Sequence, residues 1–113
     1  MDFSITVERQ GNCTVIRVTG RLDSSTAPDL GVHLRSVTDS GSYKIVVNLK
    51  DVPYLSFAGL RELIFAWKVC RRWNRGNLKI AEPRLKVLRF LDLTGCNTKF
   101  AVFDSEKKAI ESF

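Results

Sequence analysis

Histidine occurs once in this 113-residue chain and cysteine three times. That scarcity removes most metal and nucleophile chemistry at the outset. Cys13, Cys70 and Cys96 are odd in number and form no C-x-x-C pair, and no histidine cluster accompanies them. Neither a zinc site nor a disulfide framework is therefore expected, and the three read as reduced, packed thiols. His33 has no Ser or Cys motif near it and reads as a surface or boundary residue. The chain also lacks a G-x-S-x-G elbow, a G-x-x-x-x-G-K-S/T phosphate loop and a G-x-G-x-x-G fingerprint. Asp23 and Asp51 lie near turns, but their spacing does not pair them for acid–base work. Asp23 reads instead as an acceptor of backbone N–H bonds. No enzyme, no metal and no cofactor is the expectation. No apolar run approaches the about 18 residues of a membrane span. Asp2 and Glu8 fall where a signal peptide would need a basic and then an apolar stretch. The expected location is the cytoplasm, with no membrane as partner.

What is present suits one compact domain over residues 1–113: 44% of the chain is apolar, enough to bury a core without staples. The net charge of +6 is unevenly placed. Between Arg61 and Arg89 nine cations face only Glu62 and Glu82, a net +7, which leaves −1 for the remainder. An acidic partner surface or nucleic acid on one side of the domain fits that asymmetry, as does a plain solvated pair of helices.

Along the chain, Phe3–Val7 alternates apolar and polar residues, a Gln10–Asn12 turn follows, and Cys13–Val18 reads as a second strand of a hairpin. A Ser or Thr cap followed by Pro28 starts a helix near Ala27, with Leu30, His33, Leu34 and Val37 at helical spacing. Lys44–Leu49 is a β-branched run of the kind found in central parallel strands. A second helix covers about Phe57–Trp73, with Leu60, Leu63, Ile64, Trp67 and Cys70 or Arg71 on one face. Leu78–Ala81 reads as a strand. Pro83 starts a third helix with Leu85, Leu88, Phe90, Leu91 and Leu93 apolar. Lys99–Phe103 reads as a last strand, and Asp104-Ser105 caps a terminal helix. The order ββαβαβαβα predicts an α/β domain: a mixed, mainly parallel five-stranded sheet with about four helices.

The junction after the third strand carries the most information. There Ser56-Phe57-Ala58-Gly59-Leu60 turns from strand to helix, presenting free N–H groups and the positive end of a helix dipole. This segment resembles the signature of the anti-sigma factor antagonist (STAS domain) family. Three further pieces occur in matching order: Gly20-Arg-Leu-Asp23-Ser-Ser-Thr26-Ala-Pro-Asp-Leu30, Val47-Asn-Leu-Lys-Asp-Val52, and Leu91-Asp-Leu-Thr-Gly95 followed by Phe100 to Glu106. The resemblance covers nearly the whole chain.

The resemblance implies a protein-interaction module that docks onto an anti-sigma factor or a serine-kinase-like protein, with the turn serine phosphorylated as a switch. Here the position of that serine falls on Phe57, which has no hydroxyl. Carried over, the docking residues are Asp23, Ser24 and Ser25 in one loop, and Ser56, Phe57, Ala58 and Gly59 in the other. Ser56 is placed to cap the helix, and it is also a candidate for phosphorylation, as are Ser24 and Ser25. A stripe of Phe57, Arg61, Phe65, Lys68 and Arg72 runs along the helix away from its core face. Such a stripe suits an acidic, partly apolar protein; single-stranded nucleic acid is an alternative reading. A third reading is assembly with itself or its relatives in a signalling scaffold, as a homo-oligomer or mixed complex.

Overall fold

The computed structural model describes residues 2–113. Its elements are β1 (Ser4–Gln10), β2 (Cys13–Thr19), α1 (Ala27–Asp39), β3 (Lys44–Asp51), α2 (Phe57–Arg71), β4 (Asn77–Ala81), α3 (Leu85–Leu93), β5 (Val102–Phe103) and α4 (Glu106–Glu111). Short 3-10 turns at Arg72–Asn74 and Cys96–Thr98 follow α2 and α3. The five strands lie in chain order, with β1 antiparallel to β2 and every later pair parallel.

That order decides where the helices go. Each right-handed crossover steps one strand further in the same direction, so α1, α2 and α3 all fall on one face of the sheet. Ile16, Val18, Ile45, Val47, Leu49, Leu78 and Ile80 point into this layer and pack with Leu30, Leu34, Leu60, Leu63 and Leu91. On the opposite face, alternate residues Cys13, Val15, Val46 and Ala81 are covered by α4 through Ala109, Ile110 and Phe113. β3 therefore has both sides buried, which is why it reads as an unbroken apolar run.

The face under α4 also holds a polar network. The Arg17 guanidinium makes a two-point ion pair with Glu106 (2.9 and 2.8 Å) and reaches Glu8 at 3.0 Å. Asn48 donates to Glu106 at 3.0 Å, and the Glu82 carboxylate accepts the Glu106 backbone N–H at 2.8 Å. These bonds tie α4 to β2, β3 and the end of β4.

Several boundaries differ from the sequence reading. Helix α3 starts at Leu85, not Pro83, because Glu82 is left-handed (φ 55°) and Arg84 is still extended. β5 is two residues long; the chain before it is taken up by the Cys96–Thr98 turn. Helix α2 stops at Arg71, and Trp73 and Asn74 are left-handed rather than helical. The Thr26 hydroxyl does not cap α1; it donates to the Arg21 carbonyl at 2.7 Å, so the Asp23 carbonyl and carboxylate take the N–H groups there. Of the apolar residues along the third helix, Leu85 and Leu93 are exposed.

Candidate functional site

The loop after β2 and the loop after β3 are zipped together at the carboxyl ends of the parallel strands. Leu22 N–H donates to the Tyr54 carbonyl (2.9 Å) and Ser56 N–H to the Leu22 carbonyl (2.8 Å), a single parallel bridge between Leu22 and Leu55. Both leucines are buried, so the bridge is locked from beneath. This pairing carries Asp23, Ser24 and Ser25 to the start of α2. Gly59 allows the close approach: a Cβ there would stand 2.9 Å from Leu55 Cδ1 and 3.1 Å from Leu22 Cβ.

Ser56 is the N-cap of α2. Its backbone is extended and its hydroxyl accepts the Gly59 N–H at 3.2 Å, satisfying one of the helix's free donors. Phe57 then occupies the first helical position and points outward, 68% exposed. Its ring meets Phe90 of α3 edge-on, with centroids 5.1 Å apart at 69°. Ala58 is half-buried and Gly59 buried behind it.

Asp23 spends its carboxylate on its own loop. Oδ1 accepts the Ser25 hydroxyl at 2.6 Å and the N–H groups of Ser25 and Thr26 at 3.0 and 3.2 Å. Those bonds, the Ser25 hydroxyl first, hold the carboxyl below its ordinary range, so it stays anionic. Ser24 and Ser25 are exposed beside it.

A groove of about 610 Å³ continues the site from Phe57 across to α3. Tyr54, Leu55, Leu85, Phe90 and Leu93 supply its apolar walls, and Lys86 and Arg89 its rim. Leu85 and Leu93 are 60% and 87% exposed. Arg21 stacks on Tyr54 at 4.4 Å from the ring centre, adding a further cation. The site is thus an apolar, aromatic strip with a positive border. Sequence reasoning missed this half of it. The only available signal was a surplus: apolar residues at 85, 87, 88, 90, 91 and 93 are more than one helix face can bury.

The predicted stripe of Phe57, Arg61, Phe65, Lys68 and Arg72 is exposed throughout. The basic segment does not lie on one side, however. Helix α2 is about 20 Å long, so Arg61 sits near its start while Arg71, Arg72 and Arg75 stand at the other end, and Lys86 and Arg89 line the groove. Lys79 is buried under α4, where its ammonium donates to the Ser112 hydroxyl at 2.7 Å and sits over the Phe113 ring at 4.0 Å. Among the described residues no three His, Cys, Asp or Glu side chains converge as metal ligands. No helix among them is long and apolar enough to cross a membrane.

Comparison with known proteins bears on the family and the fold. The family model described as "STAS domain" matches residues 4–109. The anti-sigma-B factor antagonist of Bacillus subtilis is 26% identical over 95 residues, spanning 84% of this chain and 85% of that protein. An anti-sigma factor antagonist from Mycobacterium paratuberculosis has a crystal structure that superposes with a TM-score of 0.89 at 22% identity, covering 98% of this chain and 93% of that one. The Bacillus cell fate determinant SpoIIAA, solved in its phosphorylated form, superposes with a TM-score of 0.75 at 14% identity, over 96% of this chain and 98% of that one.

Proposed function

Because this chain belongs to the STAS domain family, we propose that it is a non-enzymatic regulatory domain acting through contact with a protein partner. The partner is an anti-sigma factor or a kinase-like regulator of one. It docks on the face built by Phe57, the Asp23–Ser25 loop and the groove beside α3. Relatives of this chain are anti-sigma factor antagonists by name, which ranks a protein partner ahead of nucleic acid.

One observation carries the reading. An aromatic ring stands 68% exposed at the first position of α2, where the family resemblance places a hydroxyl that a partner kinase charges. Adding phosphate to such a hydroxyl brings about −1.5 to −2 charges, enough to break a desolvated contact. Phe57 has nothing to phosphorylate, so the dock is held permanently in its binding state. The ring also offers the rigid apolar area that dominates many interfaces.

The test is titration calorimetry of the purified chain against anti-sigma factors and kinase-like regulators from the same genome. Saturable binding that Phe57→Ala weakens about thirtyfold or more is expected, the threshold of a hot-spot residue. Binding to none of them, or binding untouched by Phe57→Ala, rejects the reading. Phe65, 56% exposed on the outer side of α2, supports a second reading in which the domain assembles with itself. Light scattering tests that directly: a single monomeric mass across a wide concentration range removes it.

A further inference from the structure

At the end of the sheet opposite the dock, three cations of the basic segment, Arg71, Arg72 and Arg75, collect with Lys99 around Trp67 and an exposed tryptophan. Trp73 is 79% exposed, and both it and Asn74 are left-handed (φ 57° and 56°), a backbone that non-glycine residues adopt only at a cost. Arg72 and Arg75 lie over its ring at 5.6 and 5.1 Å. Arg75 also stacks on Tyr43 at 3.8 Å, while Arg71 and Lys99 flank Trp67 at 5.1 and 5.6 Å.

Stacking on rings keeps like charges close together without neutralising them. Among the described residues none of Arg71, Arg72, Arg75 or Lys99 is ion-paired; the salt bridges lie elsewhere. The four connections at this end, residues 10–12, 40–43, 72–76 and 94–101, contain no Asp or Glu, so the acids near them are Asp39 and Asp92 in the last turns of α1 and α3. Next to Arg75, a shallow dip of about 180 Å³ is bordered by Arg9 and Lys44. The charge is therefore spread in two dimensions over one end of the molecule. A single nucleic-acid strand needs a line of cations along a groove. A flat anionic layer needs an area of them, with an aromatic at the headgroup level.

We infer that this end of the domain is a contact surface for an anionic phospholipid bilayer, with the Trp73 indole seated among the headgroups and the surrounding arginines on lipid phosphates. The contact is peripheral: it needs no spanning segment and buries only the tip of one side chain. It points the Phe57 face away from the lipid, about one length of α2 removed, so a docked partner and the bilayer do not compete.

The experiment is cosedimentation of the purified full chain with phosphatidylcholine vesicles, with and without phosphatidylserine, at low ionic strength. Binding is expected only to the anionic vesicles and is largely lost near 1 M salt, where the Debye length is about 3 Å. Arg72→Gln and Lys99→Gln should each lower the partition coefficient by about fivefold. Both residues are exposed, so the variants should keep the wild-type melting temperature. Trp73→Gly should abolish the blue shift of tryptophan fluorescence on vesicle binding, leaving the signal of Trp67 unchanged. Equal pelleting with neutral and anionic vesicles overturns the inference, as does binding undiminished in the double Arg72→Gln/Lys99→Gln variant. Displacement from vesicles by a trace of single-stranded oligonucleotide also overturns it and reassigns the patch.

Discussion

The rings of Phe57 and Phe90 meet edge to face, 5.1 Å between centroids, yet the contact leaves Phe57 68% exposed. An edge contact orients the ring without covering it. The benzyl group is thus held ready beside the α3 groove rather than free to swing.

Phe57→Ala removes apolar area that is already in water, so the folded state loses little. The melting temperature should move by no more than a surface substitution usually does, equivalent to about 0.5 kcal/mol. Partner affinity should fall by at least about 2 kcal/mol if the ring is the anchor of the interface. Calorimetry of unfolding and of binding on the same preparation separates the two effects. A variant that loses stability and affinity together would place the ring in the core.

Gly76 and Gly11 make a matched pair for testing backbone demand. A Cβ on Gly76 would overlap the Tyr43 carbonyl, the same oxygen that accepts the Asn77 N–H. Backbone cannot give way as a side-chain tip can, so Gly76→Ala should cost about 3 kcal/mol or more. Gly11 has open space around it but a φ of +63° in the hairpin turn. There the cost is only conformational, about 1 kcal/mol. Urea unfolding of the two variants should rank them in that order.

Acid should loosen α4 first. Hydrogen bonds from Arg17 hold the Glu106 carboxyl below its ordinary range despite its partial burial, and the Asn48 amide adds to the effect. Glu8 is lowered too, chiefly by Gln10 and then Arg17. A lowered folded-state value means that the unfolded chain takes up the proton more readily. The stabilisation is therefore complete above the unfolded glutamate value of about 4.3 and is lost as the pH falls through the folded one. Urea midpoints should be flat near neutrality and drop below about pH 4.5. Glu106→Gln should lower the neutral plateau by about 1 kcal/mol and flatten the acid limb. An acid limb of unchanged steepness in that variant would assign the transition to other carboxyls.

The thiols should be silent in the folded protein. All three are free and buried. Burial pushes the Cys70 thiol up to about 11 and raises Cys13 as well. At pH 8 the Cys70 thiolate would be on the order of one part in a thousand even with open access. Reaction with a disulfide reagent should thus follow unfolding, rising with urea in step with the loss of structure. Fast labelling of a thiol in native buffer would show an opening that the native packing does not contain.

Much of the architecture is legible in the sequence. The β-branched run from Ile45 to Leu49 and the turn at Ser56–Gly59 follow local rules of periodicity and capping that act over a few residues. What escaped was decided between elements. Nothing in the repeat of leucines along α3 says which of them the sheet will cover, and Leu85 and Leu93 end up in water. The Leu22–Leu55 bridge that gathers the site joins residues 33 positions apart with no local signature. Lys79 looks like an outward strand residue until Ser112 and Phe113 close over it. Spacing along α2 put its cations in one stripe, but helix length, which separates the ends by about 20 Å, divides them between two surfaces.

Ser56 provides the sharpest test of how this dock is controlled, because one hydroxyl is open to two jobs. As N-cap it accepts the Gly59 N–H, and no acidic residue in the first turn of α2 shares the work. Ser56→Ala should therefore cost about 1 kcal/mol of stability, while leaving partner affinity intact after correction for unfolding. Ser56→Asp keeps an acceptor at the cap and favours the helix dipole, so stability should be retained. Its negative charge stands next to Phe57, however, in a site bordered by Arg21, Lys86 and Arg89 that suits an acidic partner. Affinity should then fall in Asp and not in Ala, the opposite order to stability. If capping is the native role, intact-mass measurement of the protein from its own cells should show Ser56 unmodified under every growth condition. A phosphorylated species that appears or disappears with growth state would return the switch to this dock, one residue before the position where the family resemblance places it.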